Sequence, residues 1–479
     1  MANTDLPTRS FTKSLSLSDS TAIVIGSMIG SGIFIVSADM SRLLGSPGWL
    51  LIAWLLTGFM TLTAALSYGE LAAMFPRAGG QYVYLREAFN PMVGFLYGWT
   101  LFLVIQTGTI AAVAVAFGKF TGVLIPWFSE NNILLHIGKF KLNSSQLLAV
   151  IMVLFLTVMN SRGIRTGKAI QNVFTIAKAS ALISLIALGL LFFRNPEAHK
   201  LNSEIFWNVT QAGGIAELTG IALIAAFASA MVGSLFSSDA WNNITFTAGE
   251  VINPKRNIPL SLFFGTLIVT IIYILVNIVY LETIPLRGAA DAASAFGRGI
   301  QFATNDRIGT AAMSIILGES AAVVMAIFIM ISTFGCNNGL ILAGARVYYA
   351  MAQDGLFFRS VGNLNSNNVP GKALWLQCLW ASLLCLSGTY GQLLDYVVFT
   401  VLIFYILTIA GIFVLRRKMP DAERPYKAFG YPVIPLMYIV SALTISFCLL
   451  LFKPDYTWPG FIIVAIGIPV YFFWKKLER

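Results

Sequence analysis

The stretch Gly26-Ser-Met-Ile-Gly-Ser-Gly32 lies inside an apolar segment that runs from about residue 17 to residue 44. Three of its seven residues are glycine and two are serine. Each glycine weakens a helix by about 1 kcal/mol relative to alanine, and serine offers the backbone a competing hydrogen-bond partner. We therefore expect the helix to break within these seven residues.

A helix break at membrane depth predicts a binding site. In hydrocarbon, non-helical backbone is tolerated only where it is buried in protein or lines a water-filled cavity. The amides that begin the second half-helix suit a carboxylate, and the carbonyls that end the first half suit a cation or an ammonium group. One small zwitterion satisfies both ends of such a break.

The composition is that of a membrane protein with many spans. Of the 479 residues, 57% are hydrophobic and 11% are charged, and the mean hydropathy is +0.78. The net charge of +10 comes from basic residues in loops between apolar runs, where they orient the chain in the lipid rather than bind nucleic acid. The four cysteines fall within apolar runs without metal-ligand spacing, which indicates buried structural thiols, no metal site and no cofactor.

Apolar runs of about 20 residues predict twelve spans. They are 17–44 (broken), 49–74, 91–122, 145–160, 169–193, 216–251 (broken), 260–283, 318–351, 374–388, 392–415, 432–452 and 459–474. The loops on the side of the N-terminus carry more Lys and Arg than the opposite loops, with the densest group at Arg416, Arg417 and Lys418. This bias predicts a plasma-membrane protein with both termini in the cytoplasm.

The two broken spans are the first and the sixth, five spans apart. Matching interruptions in two halves of a chain are typical of transporters built from inverted repeats. We expect an all-α membrane protein divided into a cytoplasmic tail (1–16), a first repeat (17–193), an extracellular loop (194–215), a second repeat (216–415) and a remainder with the last two spans (416–479).

The sixth span contains Leu235-Phe-Ser-Ser-Asp-Ala-Trp-Asn242, in which an aspartate lies deep in an apolar run. Such a residue costs about 2.5–3.5 kcal/mol on insertion scales and marks a functional site. In one interpretation, the carbonyls of Phe236 to Ser238 and the Asp239 carboxylate complete the ammonium site, and Phe236 closes over the ligand. In the other, Asp239 caps a half-helix that begins at Ala240.

Lys178 is a second charged residue inside a span, on the order of 15 Å from the cytoplasmic end of its helix. We expect its ammonium group to lie between the first and eighth spans. There it either takes the place of a coupling cation or releases a proton. The alternative is a lysine that only bridges helices through carbonyls and hydroxyls.

Two further stretches combine unusual residues. The first inside loop, from Glu70 to Tyr84, contains a proline, a Gly-Gly pair and two tyrosines. It predicts either a short re-entrant or interfacial element that acts as an inner gate with Tyr82, or a simple turn with interfacial aromatics. In the eighth span, Asn337 and Asn338 either reach the ligand cavity, where Asn338 contributes to gating, or hydrogen-bond between helices.

With these residues, the chain resembles the amino acid-polyamine-organocation transporters and, within them, the L-type amino acid transporter branch. The motifs that carry the resemblance are Gly26-Ser-Met-Ile-Gly-Ser-Gly-Ile-Phe34, Tyr68-Gly-Glu-Leu with Phe75-Pro-Arg-Ala-Gly-Gly-Gln-Tyr82, Lys178, Phe236-Ser-Ser-Asp-Ala-Trp-Asn242 followed by Glu250-Val-Ile-Asn-Pro254, and Arg346 with Asp354-Gly355. The resemblance implies a LeuT-type five-plus-five inverted repeat and Na⁺-independent amino acid transport, often by obligatory exchange.

The resemblance also implies site residues. Ser27, Met28, Ser31 and Gly32, with Gly30 in the same pocket, are expected to bind the substrate carboxylate, and Phe236, Ser237 and Asp239 to line the amine and side-chain side. The sequence departs from the family pattern at Ala240, where glycine is usual, and at Ser238, where an aromatic is common. Animal members carry an external cysteine that links them to a glycoprotein. No cysteine lies between Phe120 and Asn143, so we expect a stand-alone, bacterial-type transporter without a disulfide-linked heavy subunit.

These observations predict an alternating-access carrier that exchanges α-amino acids. Proton-coupled symport with Lys178 as the titrating group is the nearest alternative, and an amino acid sensor that uses the same pocket is a third. An enzyme is disfavoured because the sequence contains no Gly-x-Ser-x-Gly elbow and no phosphate-binding loop.

Overall fold

The computed structural model describes residues 13–137, 140–214, 216–387 and 390–477. The described part of the predicted N-terminal tail is therefore limited to residues 13–16. Within these ranges the protein is almost entirely helical. The helices are α1 (Leu17–Met28), α2 (Val36–Leu44), α3 (Pro47–Met74), α4 (Gln81–Ala88), α5 (Pro91–Thr100), α6 (Gln106–Leu124), α7 (Ser144–Ser161), α8 (Ile164–Ala187), α9 (Pro196–Glu204), α10 (Gly220–Ser237), α11 (Asn243–Phe246), α12 (Pro254–Thr283), α13 (Ala295–Arg298), α14 (Ile308–Leu317), α15 (Glu319–Gln353), α16 (Gly371–Ser387), α17 (Tyr390–Lys418), α18 (Val433–Phe452) and α19 (Pro454–Leu477).

Short 3₁₀ turns and π-helical segments interrupt or extend several of these helices. The 3₁₀ turns are Gly32–Phe34, Pro126–Phe128, Ala248–Glu250, Thr304–Asp306 and Arg359–Gly362, and the π segments are Leu101–Ile105 and Leu188–Phe192. An antiparallel hairpin of β1 (Ile133–Ile137) and β2 (Phe140–Asn143), which the sequence analysis did not predict, precedes α7.

Among the described residues, ten helices are long and apolar enough to cross a membrane. The other two predicted spans correspond to the broken pair α1 and α2 and to α16, which has 17 residues. Apolar side chains on the outer helices face away from the bundle. On α12, for example, Phe264, Ile268 and Ile271 are exposed at helical spacing, as expected of a surface that contacts lipid.

The broken helices lie at the centre of the bundle. Helix α1 packs against α12, α8 and α15, and α10 packs against α2, α3 and α18. Local sequence fixes the limits of the first pair. Ser16 and Asp19 form a capping box at the start of α1, and Gly45, at φ +55°, ends α2. The break between the two half-helices is thus enclosed on all sides by other helices.

Candidate functional site

The helix breaks within the glycine-rich stretch, as the sequence predicts. Helix α1 ends at Met28, Ile29 is extended at φ −73° and ψ 94°, and α2 begins only at Val36. All residues from Ser27 to Val36 are buried. The non-helical backbone is therefore enclosed in protein, where its polar groups need partners other than lipid.

The carbonyl groups at the end of α1 are already occupied by side chains. The Lys178 ammonium donates to the carbonyl oxygens of Gly26 and Ile29, the second at 2.7 Å. The Cys336 thiol donates to the Ser27 carbonyl at 3.1 Å. The expectation that these carbonyls receive the ammonium group of a ligand is therefore corrected, because the cation that contacts them is Lys178.

Lys178 lies on α8, fully buried, between α1 and the α15 residue Cys336. On α15, Ser332 donates to the carbonyls of Ile29 and Gly30 at 3.3 and 3.2 Å. Lys178 thus bridges helices through carbonyls in this structure, as the alternative interpretation holds, while its role in coupling stays a prediction.

The amides of the break, by contrast, are free to bind. In the described ranges, the backbone N–H groups of Gly30 and Ser31 donate to no carbonyl or side chain. The Ser27 hydroxyl is buried and has no partner there either. Unpaired backbone donors at a helix break can bind an anionic group. The first break therefore offers three unpaired donors of the kind that suit a carboxylate.

The second break follows Ser237, where α10 ends. Ala240 adopts φ +64°, and the next helix, α11, begins only at Asn243. A side chain in this left-handed conformation costs about 1 kcal/mol or more, which glycine avoids. No helix begins at Ala240, because its backbone is left-handed, so that part of the capping interpretation is wrong. The Asp239 carboxylate accepts hydrogen bonds from the backbone N–H of Ala240 and from the Tyr405 hydroxyl, the second at 2.5 Å.

The two breaks are in direct contact. A Cβ atom added at Gly32 would lie 2.1 Å from the hydroxyl oxygen and 2.9 Å from the Cα atom of Ser237, so only glycine fits. The hydroxyl of Tyr273, on α12, lies 3.0 Å from the Met28 carbonyl and 3.1 Å from the Ser237 carbonyl. The structure thus brings the predicted residues of the two breaks together around one point.

A layer of side chains covers this point on one side. The Tyr390 hydroxyl lies 3.1 Å from the Ser31 hydroxyl, and its ring meets the Phe236 ring edge-on at 6.1 Å between centroids. Beyond this layer opens a cavity of about 980 Å³, whose lining includes Ile35, Val232 and Tyr390. We call this cavity the vestibule. The Phe236 ring therefore lies in the layer of side chains between the two breaks and the vestibule.

The opposite end of the bundle is closed. Arg346 and Glu250 form an ion pair of 2.9 Å in which neither side chain is more than 4% exposed. Gly80, at φ +43°, approaches Thr245 of α11 so closely that a Cβ atom would lie 2.3 Å from its hydroxyl oxygen. The loop that leads into α4, the helix that contains Tyr82, therefore packs directly against α11 and covers that side of the second break.

Tyr82 itself donates from its hydroxyl to Asp354 at 2.9 Å. Burial and the Asp354 carboxylate raise the pKa of Tyr82 above its usual range, so the hydroxyl stays protonated. Asn338 hydrogen-bonds between helices, as the alternative interpretation holds, and its contribution to gating stays a prediction. It accepts a hydrogen bond from Asn160 of α7 at 3.0 Å, and Asn337 donates to the Ile110 carbonyl at 3.1 Å, because the helix rotation turns both amides toward neighbouring helices.

Several contacts of the site were missed from the sequence. Tyr273, Tyr390 and Tyr405 each place a hydroxyl at one of the breaks, and Cys336, expected to be a purely structural thiol, touches the first. The available signal is weak. A tyrosine in an apolar span needs a partner for its hydroxyl, but the sequence does not say which one.

Comparisons with known proteins identify the family of the chain and several of its relatives. Residues 15–472 match the model of the amino acid permease family. The chain is 30% identical to the large neutral amino acids transporter small subunit 2 of Homo sapiens over 478 residues, which cover 98% of this chain and 82% of that protein. It is 28% identical to the serine/threonine exchanger SteT of Bacillus subtilis over 467 residues, 97% of each chain. It is 27% identical to the b(0,+)-type amino acid transporter 1 of Mus musculus over 475 residues, 98% of this chain and 89% of that protein.

Proposed function

Because the chain belongs to the amino acid permease family of transporters, we propose that it exchanges α-amino acids across the plasma membrane by alternating access. The relatives named above are amino acid transporters, and one of them is an exchanger. They match over nearly the whole chain, so the proposal does not depend on an isolated motif. The family is one of transporters, not enzymes.

One observation carries the mechanism: two helix breaks meet, and the first offers unpaired donors. We propose that the N–H groups of Gly30 and Ser31 and the Ser27 hydroxyl bind the substrate carboxylate, with Met28 and Gly32 shaping the same pocket. The substrate ammonium group then lies toward the backbone of Phe236 and Ser237. Since α1 and α10 both contact the ligand, occupancy can bias the closure of one part of the bundle against the other.

We further propose twelve spans in a LeuT-type five-plus-five arrangement, with repeats at 17–193 and 216–415 joined by the loop 194–215. The first 16 residues and residues 416–479 lie outside the repeat. The breaks at the first and sixth spans support this division, and the charge bias of the loops supports cytoplasmic termini. The vestibule then faces outward, and the end closed by Arg346 and Glu250 faces the cytoplasm.

Lys178 supports transport without Na⁺. Its ammonium group already donates hydrogen bonds to the carbonyls of Gly26 and Ile29, which a metal cation would otherwise contact. The same position favours a second candidate, proton-coupled symport, because the described residues provide Lys178 with carbonyl acceptors and no carboxylate. Loss of its proton would weaken its hydrogen bonds to these two carbonyls and so loosen the contact between α8 and α1.

The substrate side chain is expected to lie near Asp239. The described residues place no cation within ion-pair distance of this half-buried carboxylate, so a substrate with a cationic side chain would compensate its charge. The small residues around it, Ser238 and Ala240, also fit the side chains of alanine and serine. No heavy subunit is required by the proposal.

Proteoliposomes loaded with labelled amino acid test the proposal. Exchange predicts efflux only when an external amino acid is present, whereas symport predicts uptake driven by a proton gradient without a counter-substrate. External serine, alanine and lysine, compared in the parent protein and in Asp239→Asn, identify the substrate class. If no label moves with any amino acid or gradient, the transport proposal is refuted and the sensor interpretation gains.

A further inference from the structure

The rim of the vestibule carries a network of charged side chains that the transport site does not use. Asp306 lies in the segment before α14, and its carboxylate contacts Arg42 of α2 at 2.7 Å and Lys119 of α6 at 3.8 Å. Lys119 also contacts Glu130 at 3.5 Å, and Arg42 contacts Asp39 at 3.3 Å. All five residues line the vestibule.

The contacts on the two sides of Asp306 differ in strength. Toward α2 they are short and multiple, because Arg42 also donates to the Gln301 carbonyl at 2.8 Å and the Gln301 amide donates to the Ser41 carbonyl at 3.0 Å. The half-helix α2 and the segment that contains Asp306 are thus tied together. Toward α6 the only ionic contact of Asp306 among the described residues is the longer one, to Lys119.

The half-helix α2 has only nine residues, and the break separates it from α1. It is therefore the wall of the vestibule that can tilt as a unit, whereas α6 continues through the centre of the bundle. The contact between Asp306 and Lys119 joins the two walls. At 3.8 Å it is the longest of these ionic contacts, so a tilt of α2 would break it first.

The backbone at this point is left-handed. Asn305 and Asp306 adopt φ values of +51° and +57°, a conformation that asparagine and aspartate adopt more readily than other non-glycine residues. Asparagine tolerates this conformation about as well as aspartate, so the charge and the backbone can be tested separately.

We propose that Asp306, held by Arg42 and facing Lys119, is an electrostatic latch that keeps the vestibule open and so sets the balance between its open and closed states. Asp306 and Lys119 are positioning residues, since neither touches the break where the ligand is proposed to bind. This inference rests on the proposed alternating access, but its test does not require transport to be measured.

The test uses a cysteine placed in the vestibule. Val232→Cys lines the cavity, and none of the four native cysteines does, so the parent chain gives the background. In membranes, a charged methanethiosulfonate reagent should label Val232→Cys, and adding Asp306→Asn should slow labelling about fivefold, the shift that a partly exposed ion pair supports. Raising the salt concentration from about 0.15 to 1 M should slow labelling of the Val232→Cys reporter that retains Asp306, and it should slow labelling of the double variant less, because the double variant keeps only the ion pairs that do not involve Asp306.

Asn305→Gly is the matched control, because glycine also adopts the left-handed backbone at this neighbouring position and the change leaves the charge unaltered. It should be labelled like the reporter alone, and a slowing as large as that in Asp306→Asn would assign the effect to the backbone and overturn the latch. Lys119→Gln should slow labelling in the same direction and carries the test if Asp306→Asn does not fold. An unchanged or faster rate in a folded Asp306→Asn protein refutes the proposal, whereas absence of labelling in the reporter alone refutes the open vestibule itself.

Discussion

The contact between the two helix breaks can be tested with a single methyl group. In Gly32→Ala, the new Cβ atom would lie 2.1, 2.7 and 2.9 Å from the Oγ, Cβ and Cα atoms of Ser237. The hydroxyl can rotate away, but the Cα atom cannot. The Ser237 Cβ atom is fixed by the backbone as well and is the closest carbon, at 2.7 Å. Carbon atoms pack at about 3.5–4.0 Å, so the two breaks must separate by roughly 0.8–1.3 Å to accept the methyl group.

The expected loss follows from this separation. Overpacking of a filled site costs about 1–3 kcal/mol, and each 1.4 kcal/mol is about tenfold in a binding constant. Because the donors at Gly30 and Ser31 would move away from Ser237, we expect Gly32→Ala to bind its amino acid substrate about 5- to 150-fold more weakly. Equilibrium binding of labelled substrate in detergent measures the change, and thermal unfolding shows whether the protein is folded.

Two further variants separate this effect from general damage. At Gly391 an added Cβ atom would meet nothing within 4 Å, so Gly391→Ala should bind like the parent. Ser237→Gly in the Gly32→Ala background removes the two closest contacts and should restore part of the affinity. If Gly32→Ala is folded and binds substrate within twofold of the parent, the two breaks do not form one site and the reasoning fails.

Three other perturbations test separate parts of the structure. Tyr273→Phe removes the hydroxyl between the carbonyls of Met28 and Ser237 and should cost about 1 kcal/mol; substrate affinity should fall about fivefold, and unchanged affinity would show that the bridge does not organise the site. Lys178→Gln should remove any dependence of transport on the proton gradient and lower stability, because the carbonyls of Gly26 and Ile29 lose a charged donor; a proton dependence that survives would exclude Lys178 as the coupling group. Glu250→Gln leaves Arg346 buried without its carboxylate, a change that costs about 3–5 kcal/mol in comparable pairs; the melting temperature should drop clearly, and an unchanged value would argue against the ion pair as a seal of this end.

Local sequence was sufficient to locate the breaks. Glycine and serine weaken a helix wherever they occur, so the stretch from Gly26 to Gly32 predicted non-helical backbone before any packing was known. The apolar runs predicted the long helices for a similar reason, because their length must match the bilayer. The charges of Lys178 and Asp239 stood out because apolar surroundings make any charge exceptional.

The partners of these residues depend on packing between distant parts of the chain. Asp239 was expected to cap its own helix or to bind a ligand, but its carboxylate meets Tyr405, 166 positions further along the chain. Asn338 was expected either to reach the ligand cavity or to hydrogen-bond between helices, and its helix turns it toward Asn160. Neither outcome follows from residue type, because the rotation of a helix about its axis is set by all of its neighbours together.

The sequence by itself determined that this protein spans a membrane, where its helices break and which charges lie inside it, since these properties follow from the cost of exposing peptide groups and charges to hydrocarbon. Only the tertiary structure decided that Lys178 occupies the carbonyls of the first break, that Gly32 meets Ser237, and that the vestibule opens at one end while Arg346 and Glu250 close the other. Those contacts join residues far apart in the chain, and their geometry is fixed when the helices pack.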